Sequence, residues 1–206
     1  MTLSLNLRAQ FTKQDTIKAI AIHFSRMPME ELINEKNYIV YIQRKVNSDS
    51  LISLRADHKN IDLFLANFWY EYGSSNFLEI REEYLGRIIL ANKLFSMTGR
   101  AGYLTNRGRI LMTFGHPNDK NAVKNQSNCK PYEIWFYNKI NNGQSNIEFV
   151  FYNESRMIND YTLIHSNARG ELMNVSWKNM IYYKDAPDMH KGDYQFFDAP
   201  KRNAEF

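Results

Sequence analysis

Arg107 and Arg109 stand two residues apart across Gly108, inside the stretch GYLTNRGRILMTFGHPND that runs from 102 to 119. If this part of the chain is extended, residues i and i+2 share a face and both guanidiniums project together. Two such forks can grip a carboxylate or a phosphate. The commoner use of such a pair is structural, through ion pairs with acidic helix residues such as Glu79, Glu82 or Glu83. His116 lies in the turn that follows, close to Asp119. It would act as a general base only with a carboxylate partner and a cleft, and a solvated turn histidine is the commoner case. Trp135 and Tyr137 share one face of a strand, and Phe149 and Phe151 share one face of another. Open aromatic faces can stack bases or sugars. Covered ones are simply core.

Other chemistries find little support. The histidines are His23, His58, His116, His165 and His190, and none sits in a Gly-x-Ser-x-Gly context. His165-Ser166 ends a strand, where a polar strand end is the ordinary role. There is no His-x-His, no HExxH and no pair of cysteines, so no metal is expected. Asp57-His58 and the group Asp185, Asp188 and His190 could draw a cation, but such clusters are usually loops. No glycine pattern for a nucleotide appears, and no cofactor is expected. Cys129 is the single cysteine, which excludes an internal disulfide.

The totals set the frame. The chain has 206 residues, of which 44% are hydrophobic and 14% aromatic, enough for a proper core. The charge is +4, from 26 basic and 22 acidic residues. These charges are spread along the chain, whereas nucleic-acid binders concentrate theirs on one face. Nucleic acid is therefore not the expected partner. No apolar run approaches the length of a membrane span. The start, MTLSLNLRAQFTKQD, lacks the basic-then-apolar pattern of an export signal, so the expectation is either a cytoplasmic protein or a fragment of a longer exported one.

The elements that must position these residues follow from periodicity. Residues 3–9 and 17–24 alternate on either side of a polar TKQD, which predicts a hairpin with Leu3, Leu5 and Leu7 on one face and Ile20, Ile22 and Phe24 on the other strand's face. Residues 29–45 read as helix, and Asn47 to Asp49 as a turn. Ile61, Phe64, Leu65 and Phe68 predict a helix over 61–71. Asn76 and Glu79 resemble a capping box, and Phe77, Ile80, Tyr84, Ile88, Ala91 and Phe95 form one apolar stripe ending near Met97. After Gly102 the pattern predicts strands at 110–114, 132–137, 146–152 and 161–165, with a polar loop over 118–131 and a hairpin turn at Asn142-Gly143. Gly102, Gly108 and Gly115 are suited to positive φ. The tail from 185 reads as irregular. The predicted class is α+β: an N-terminal β-hairpin, a helical segment, then a mainly antiparallel sheet of about four strands.

The stretch from Gly102 also resembles the signature of the GWxTD domain, roughly Gly-Trp-x-Thr-Asp-Arg-Gly-Arg, an apolar segment, then Gly-x-Pro-Asp. Gly102, Thr105, Arg107, Gly108, Arg109, Gly115 and Pro117 match it, while Tyr103 stands for the Trp and Asn106 for the Asp. Phe68-Trp69, the segment with Asn76, Glu83-Tyr84, Arg87 and Ala91-Asn92, the strand Tyr132-Glu133-Ile134-Trp135-Phe136-Tyr137 and the run Tyr161 to Ser166 resemble further parts of the pattern. IAIHFSRMP resembles the strand that closes a preceding β-rich part. The resemblance implies residues 1–27 as a remnant of that part, a GWxTD-like domain over 28–184 and an irregular tail over 185–206. It implies a Bacteroidetes-type envelope protein, in the periplasm or at the outer membrane, of no established activity. If the family's Asp were catalytic, Asn106 would leave this chain inactive. If it forms a turn, Asn serves nearly as well.

Two functions are expected from this reading. One is a non-enzymatic interaction or scaffolding domain whose partner is another envelope protein. The other is a binding module for polysaccharide or nucleic acid that uses Arg107, Arg109 and the aromatic strands. The glycine-rich stretch reads as a rigid corner first and as an anion or partner site second.

Overall fold

The computed structural model describes residues 12–42, 60–124, 126–140, 143–155 and 158–182. Leu3, Leu5 and Leu7, the turn at 47–49, Asp57-His58, Asn142 and the tail from 185 lie outside these residues, as do 43–45. The chain divides into two compact units, Met1–Gly115 and His116–Phe206.

The first unit is helical. Its helices are α1 (Lys13–Phe24), α2 (Met29–Tyr38), α3 (Ile61–Gly73), α4 (Phe77–Phe95) and α5 (Asn106–Phe114), with short 3₁₀ turns at Ile39–Tyr41, Ser74–Asn76 and Gly102–Leu104. α3 is the hub, and α1, α2 and α4 all pack on it. Its Ile61, Phe64, Leu65, Ala66, Phe68 and Trp69 are buried, so the helix is apolar nearly all round. The stripe read on α4 is confirmed for Tyr84, Ile88, Ala91 and Phe95, which are its buried residues. Asn76 makes no side-chain cap on that helix, so the capping box does not form there.

Two expected strands are helices. Residues 17–24 belong to α1, not to a hairpin. The TKQD taken for a turn is a capping box: Thr12 Oγ1 accepts the Asp15 N–H and the Asp15 carboxylate accepts the Thr12 N–H, both at 3.2 Å. Ile17, Ile20 and Phe24 then fall on one helical face and are buried, while Ile22 is 55% exposed. Residues 110–114 belong to α5, where Ile110, Leu111 and Met112 are all buried. Three consecutive buried apolar residues are as compatible with a buried helix as with a strand.

A buried carboxylate ties the helices together. Glu35 of α2 receives Arg81 of α4 through Nε to Oε1 at 2.7 Å and Nη2 to Oε2 at 2.6 Å. The Trp69 indole N–H of α3 donates to the same Oε1 at 2.7 Å. Arg81 also lies over the Phe24 ring of α1 at 5.2 Å. One ionic cluster thus joins four helices.

The second unit is a four-stranded antiparallel sheet in the order β1-β2-β3-β4, with β1 Asp119–Val123, β2 Tyr132–Lys139, β3 Ser145–Tyr152 and β4 Thr162–Ser166. β1 lies in what reads as a polar loop. It is an edge strand whose residues are exposed save a half-buried Val123, so no apolar alternation marks it. Tyr132, Ile134, Val150, Tyr152 and Ile164 form one face with Cys129, covered by Trp177 and by Ile181 of the short helix α6 (Lys178–Ile181). Phe151 opposes Leu163 and Val150 opposes His165, so Ile164 is the extra residue of a bulge and both it and His165 turn to that face.

Buried phenols give both units an alkaline limit. Burial pushes the hydroxyls of Tyr84 and Tyr132 far above the ordinary tyrosine value. Folded phenols that hold their proton beyond the unfolded pKa near 10 contribute stability that is complete below about pH 10 and lost as pH rises. Each steepens the loss by about 1.4 kcal/mol per pH unit above that point. A pH titration should therefore show a fraction of the tyrosinate absorbance that appears only together with loss of the far-UV circular dichroism signal. Titration of all 13 phenols with the fold intact would contradict this.

Candidate functional site

The signature stretch forms a knot between the end of α4 and the start of α5. Gly102 packs on α4 so closely that a Cβ there would lie 1.9 Å from the Ala91 carbonyl oxygen. A Cβ on Gly108 would lie 1.9 Å from the Gly102 carbonyl oxygen. These two glycines are needed for close backbone approach, not for positive φ. Of the three, only Gly115 has positive φ, at +80°, where it ends α5.

Thr105 closes the knot. It is buried, and its hydroxyl donates to Gly102 O at 2.7 Å and accepts the Gly108 N–H at 3.1 Å. It is the N-cap of α5. Thr105→Ala should cost about 1–2 kcal/mol, the upper range for a lost cap, and Thr105→Ser should recover most of it. Denaturant melts of the two variants against the parent check this; equal losses would show that the methyl, not the hydroxyl, matters.

The arginines do not share the face that an extended strand would give them, because the segment is helical. Helical geometry sets Arg107 and Arg109 about 200° apart around α5. Arg107 is buried with its guanidinium 4.6 Å from the centre of the Phe95 ring, so it clamps α5 onto the end of α4. Arg109 is half-buried on another side. Glu83 is held by Arg87, which also donates from Nη1 to Met112 O at 3.4 Å near the end of α5. Asn106 opens α5 as its first residue, half-buried.

Beyond Gly115, His116 is exposed and Pro117 half-buried. Asn118 pins the start of β1 to β2: its N–H donates to Phe136 O and its Oδ1 accepts the Asn138 N–H, each at 2.8 Å. The aromatic strand residues are core. Trp135 and Tyr137 are each 2% exposed, and Phe149 and Phe151 are fully buried. Trp135 packs on Phe151 with ring centres 4.9 Å apart, and Tyr137 on Phe149 at 5.5 Å. No open stacking platform exists on these rings. The Glu of Tyr-Glu-x-Trp has a role that spacing did not reveal. Buried Glu133 accepts the Trp135 indole N–H at 3.1 Å and pairs with Lys120 of β1 at 3.0 Å.

His165 and Ser166 hold the chain that follows β4. His165 Nδ1 accepts the Asn174 N–H at 3.1 Å, its Nε2 lies 3.3 Å from Glu148, and its ring stacks on Trp177. Ser166 Oγ donates to Glu148 O at 2.7 Å and accepts the Ala168 N–H at 3.0 Å. Among the described residues, no group of three His, Cys, Asp or Glu side chains could hold a metal ion, and no helix is long and apolar enough to cross a membrane.

A helical unit closed by this knot, followed by an antiparallel sheet, defines an α+β protein. The pattern of the GWxTD domain matches residues 6–183, and the chain belongs to that family. No curated protein and no solved structure matches it.

Around the knot lie residues that sequence spacing could not gather. Tyr38 meets Tyr103 edge-on, with ring centres 5.1 Å apart. Burial raises the Tyr41 phenol, as does Tyr103, while Arg109 and Arg100 draw it down. Tyr38, Tyr41 and Arg100 are far from the signature core or outside its pattern, so no motif marked them.

Proposed function

We propose that this protein is a non-enzymatic interaction or scaffolding domain of a bacterial cell-envelope complex, of the kind found in Bacteroidetes, and that its partner is another envelope protein. One observation carries the reading. The polar residues of the signature serve backbone and packing: Thr105 joins Gly102 to Gly108, Arg107 lies on Phe95 and Asn118 fastens β1. A motif used in this way supports a rigid presenting surface better than a reaction centre. Tyr103 is set on that surface by its N–H bond to Asn92 Oδ1 at 3.2 Å, and Leu104 beside it is 49% exposed.

The test is a crosslinked pull-down of the tagged full-length protein from its native host, with membrane and soluble fractions analysed apart. Envelope proteins recovered with the parent and lost with Leu104→Ser or Arg109→Ala, both still folded, would support the reading. Recovery in the soluble fraction with no partner protein would overturn it.

A further inference from the structure

Independently of the interaction reading above, we infer that His165 is a proton-sensitive latch. While its ring is neutral it holds residues 172–181 over one face of the sheet, and on taking up a proton it releases them.

Hydrogen bonding defines the closed state. The Asn174 N–H donates to His165 Nδ1 at 3.1 Å, so that nitrogen carries no proton. The proton of the neutral ring is then on Nε2, which lies 3.3 Å from Glu148 Oε1. A ring that gains a second proton is a donor at both nitrogens. Its Nδ1–H would face the Asn174 N–H, and one of the two donors must move away. His165 is 6% exposed, so little water can replace the lost partner while the strap stays closed.

Asn174 passes this change to the cover of the sheet. The Trp177 N–H donates to Asn174 O at 3.2 Å, and the Ser176 N–H donates to Asn174 Oδ1 at 3.0 Å. Trp177 stacks on the His165 ring, and with Ile181 it covers Tyr132, Val150 and Tyr152. Two backbone bonds fasten the ends of the strap: Ser166 N–H to Leu172 O at 2.7 Å, and Lys130 N–H to Ile181 O at 2.9 Å. The latch sits between these anchors. There Met173 is 68% exposed and Val175 84% exposed, so they add little packing against lifting.

The charges around the ring favour release of the strap over refusal of the proton. Glu148 of β3 faces Nε2 and serves the charged ring as counter-ion. Its backbone is held by Asn167 Oδ1 at 2.8 Å and Ser166 Oγ at 2.7 Å, so it keeps its place when the strap lifts. On the strap, Lys178 lies 5.7 Å from the centre of the Trp177 ring and has the sign of the imidazolium. Among the described residues, the other titratable groups at this face are Tyr132, Tyr152, Tyr182 and Cys129, which stay neutral in acid. The closed strap requires the neutral ring, so closure is complete in alkali and lost as pH falls through the titration of histidine.

The experiment follows the full-length protein from about pH 8 to about pH 5, the range in which histidine changes charge. Nitrogen NMR reads the tautomer and charge of the His165 ring. Hydrogen exchange read by mass spectrometry, corrected for the intrinsic effect of pH, reads the strap. The expected result is an Nε2–H ring at the alkaline end. Protection of 172–181 should then fall roughly tenfold or more as His165 charges, while β2, β3 and the helical unit keep theirs. His165→Asn keeps an acceptor near the Nδ1 position and cannot be charged, so it should abolish the pH dependence. Glu148→Gln removes the counter-ion and should move release to lower pH. Its side chain is 32% exposed, so this variant serves if His165→Asn does not fold. A charged His165 under a fully protected strap would overturn the latch. So would an Nδ1–H ring in alkali, a ring still neutral at the acid end, or protection lost in both units at once. Release that persists in His165→Asn, or that Glu148→Gln leaves unmoved, would overturn it too.

Discussion

Gly108→Ala is expected to prevent the helical unit from folding, while Gly86→Ala makes it more stable. The added methyl at 108 would sit 1.9 Å from Gly102 O and 2.7 Å from Tyr103 Cα. Both are backbone atoms, so no side chain can turn aside. The helix start and the 3₁₀ turn would have to separate, breaking the Thr105 bonds and lifting Arg107 from Phe95. Overpacking a tight core costs about 1–3 kcal/mol when side chains can adjust. A backbone clash of this depth belongs above that range, at roughly 4 kcal/mol or more. Gly102→Ala should behave alike, because its methyl would meet Ala91 O at 1.9 Å. Gly86 lies exposed in the middle of α4, with nothing within 4 Å of its Cβ position. Alanine there should gain about 1 kcal/mol through helix propensity. Urea melts of the three variants decide the matter. If Gly108→Ala unfolds with the parent's midpoint, the close approach is not a constraint of the native fold.

Arg81→Leu carries the second large effect. It leaves the Glu35 carboxylate buried with the Trp69 indole N–H but without its cation. Breaking a buried ion pair from one side typically costs about 3–5 kcal/mol. Arg81→Leu also forfeits the contact with the Phe24 ring. The double variant Glu35→Leu with Arg81→Leu should recover much of this loss, since an apolar replacement removes the stranded charge. Unfolding followed by far-UV circular dichroism in the two single variants and the double variant measures the coupling. Additive losses would show that the two side chains do not act as a unit.

Some of this was legible from the residues alone. The apolar stripes of α3 and α4 have the three- and four-residue spacing of helices, and both helices form. The alternation of β2 and β3 places them correctly as neighbours, with Gly143 at φ +82° in the connection. The family signature was complete enough to be recognised across most of the chain. In each case the signal is local: a periodic pattern, a turn residue or an ordered set of motifs within reach of one another.

Tertiary structure decided the rest. IKAIAIHF fits both a period of two and a helical face, and the choice fell to α1, capped by Thr12 and Asp15 and packed on α3. ILMTF has no period at all, because Ile110, Leu111 and Met112 are all buried. Gly102 and Gly108 read as flexible turn residues, yet what selects them is a neighbouring backbone, which no single-chain rule on φ can see. The arginine pair dissolved for a related reason: a helix turns Arg107 inward onto Phe95 and sends Arg109 elsewhere. The Glu35–Arg81–Trp69 cluster and the Tyr38–Tyr103 contact join residues tens of positions apart. Sequence determined which segments could be amphipathic. Packing determined which residues meet, and so which arginine lies on the Phe95 ring.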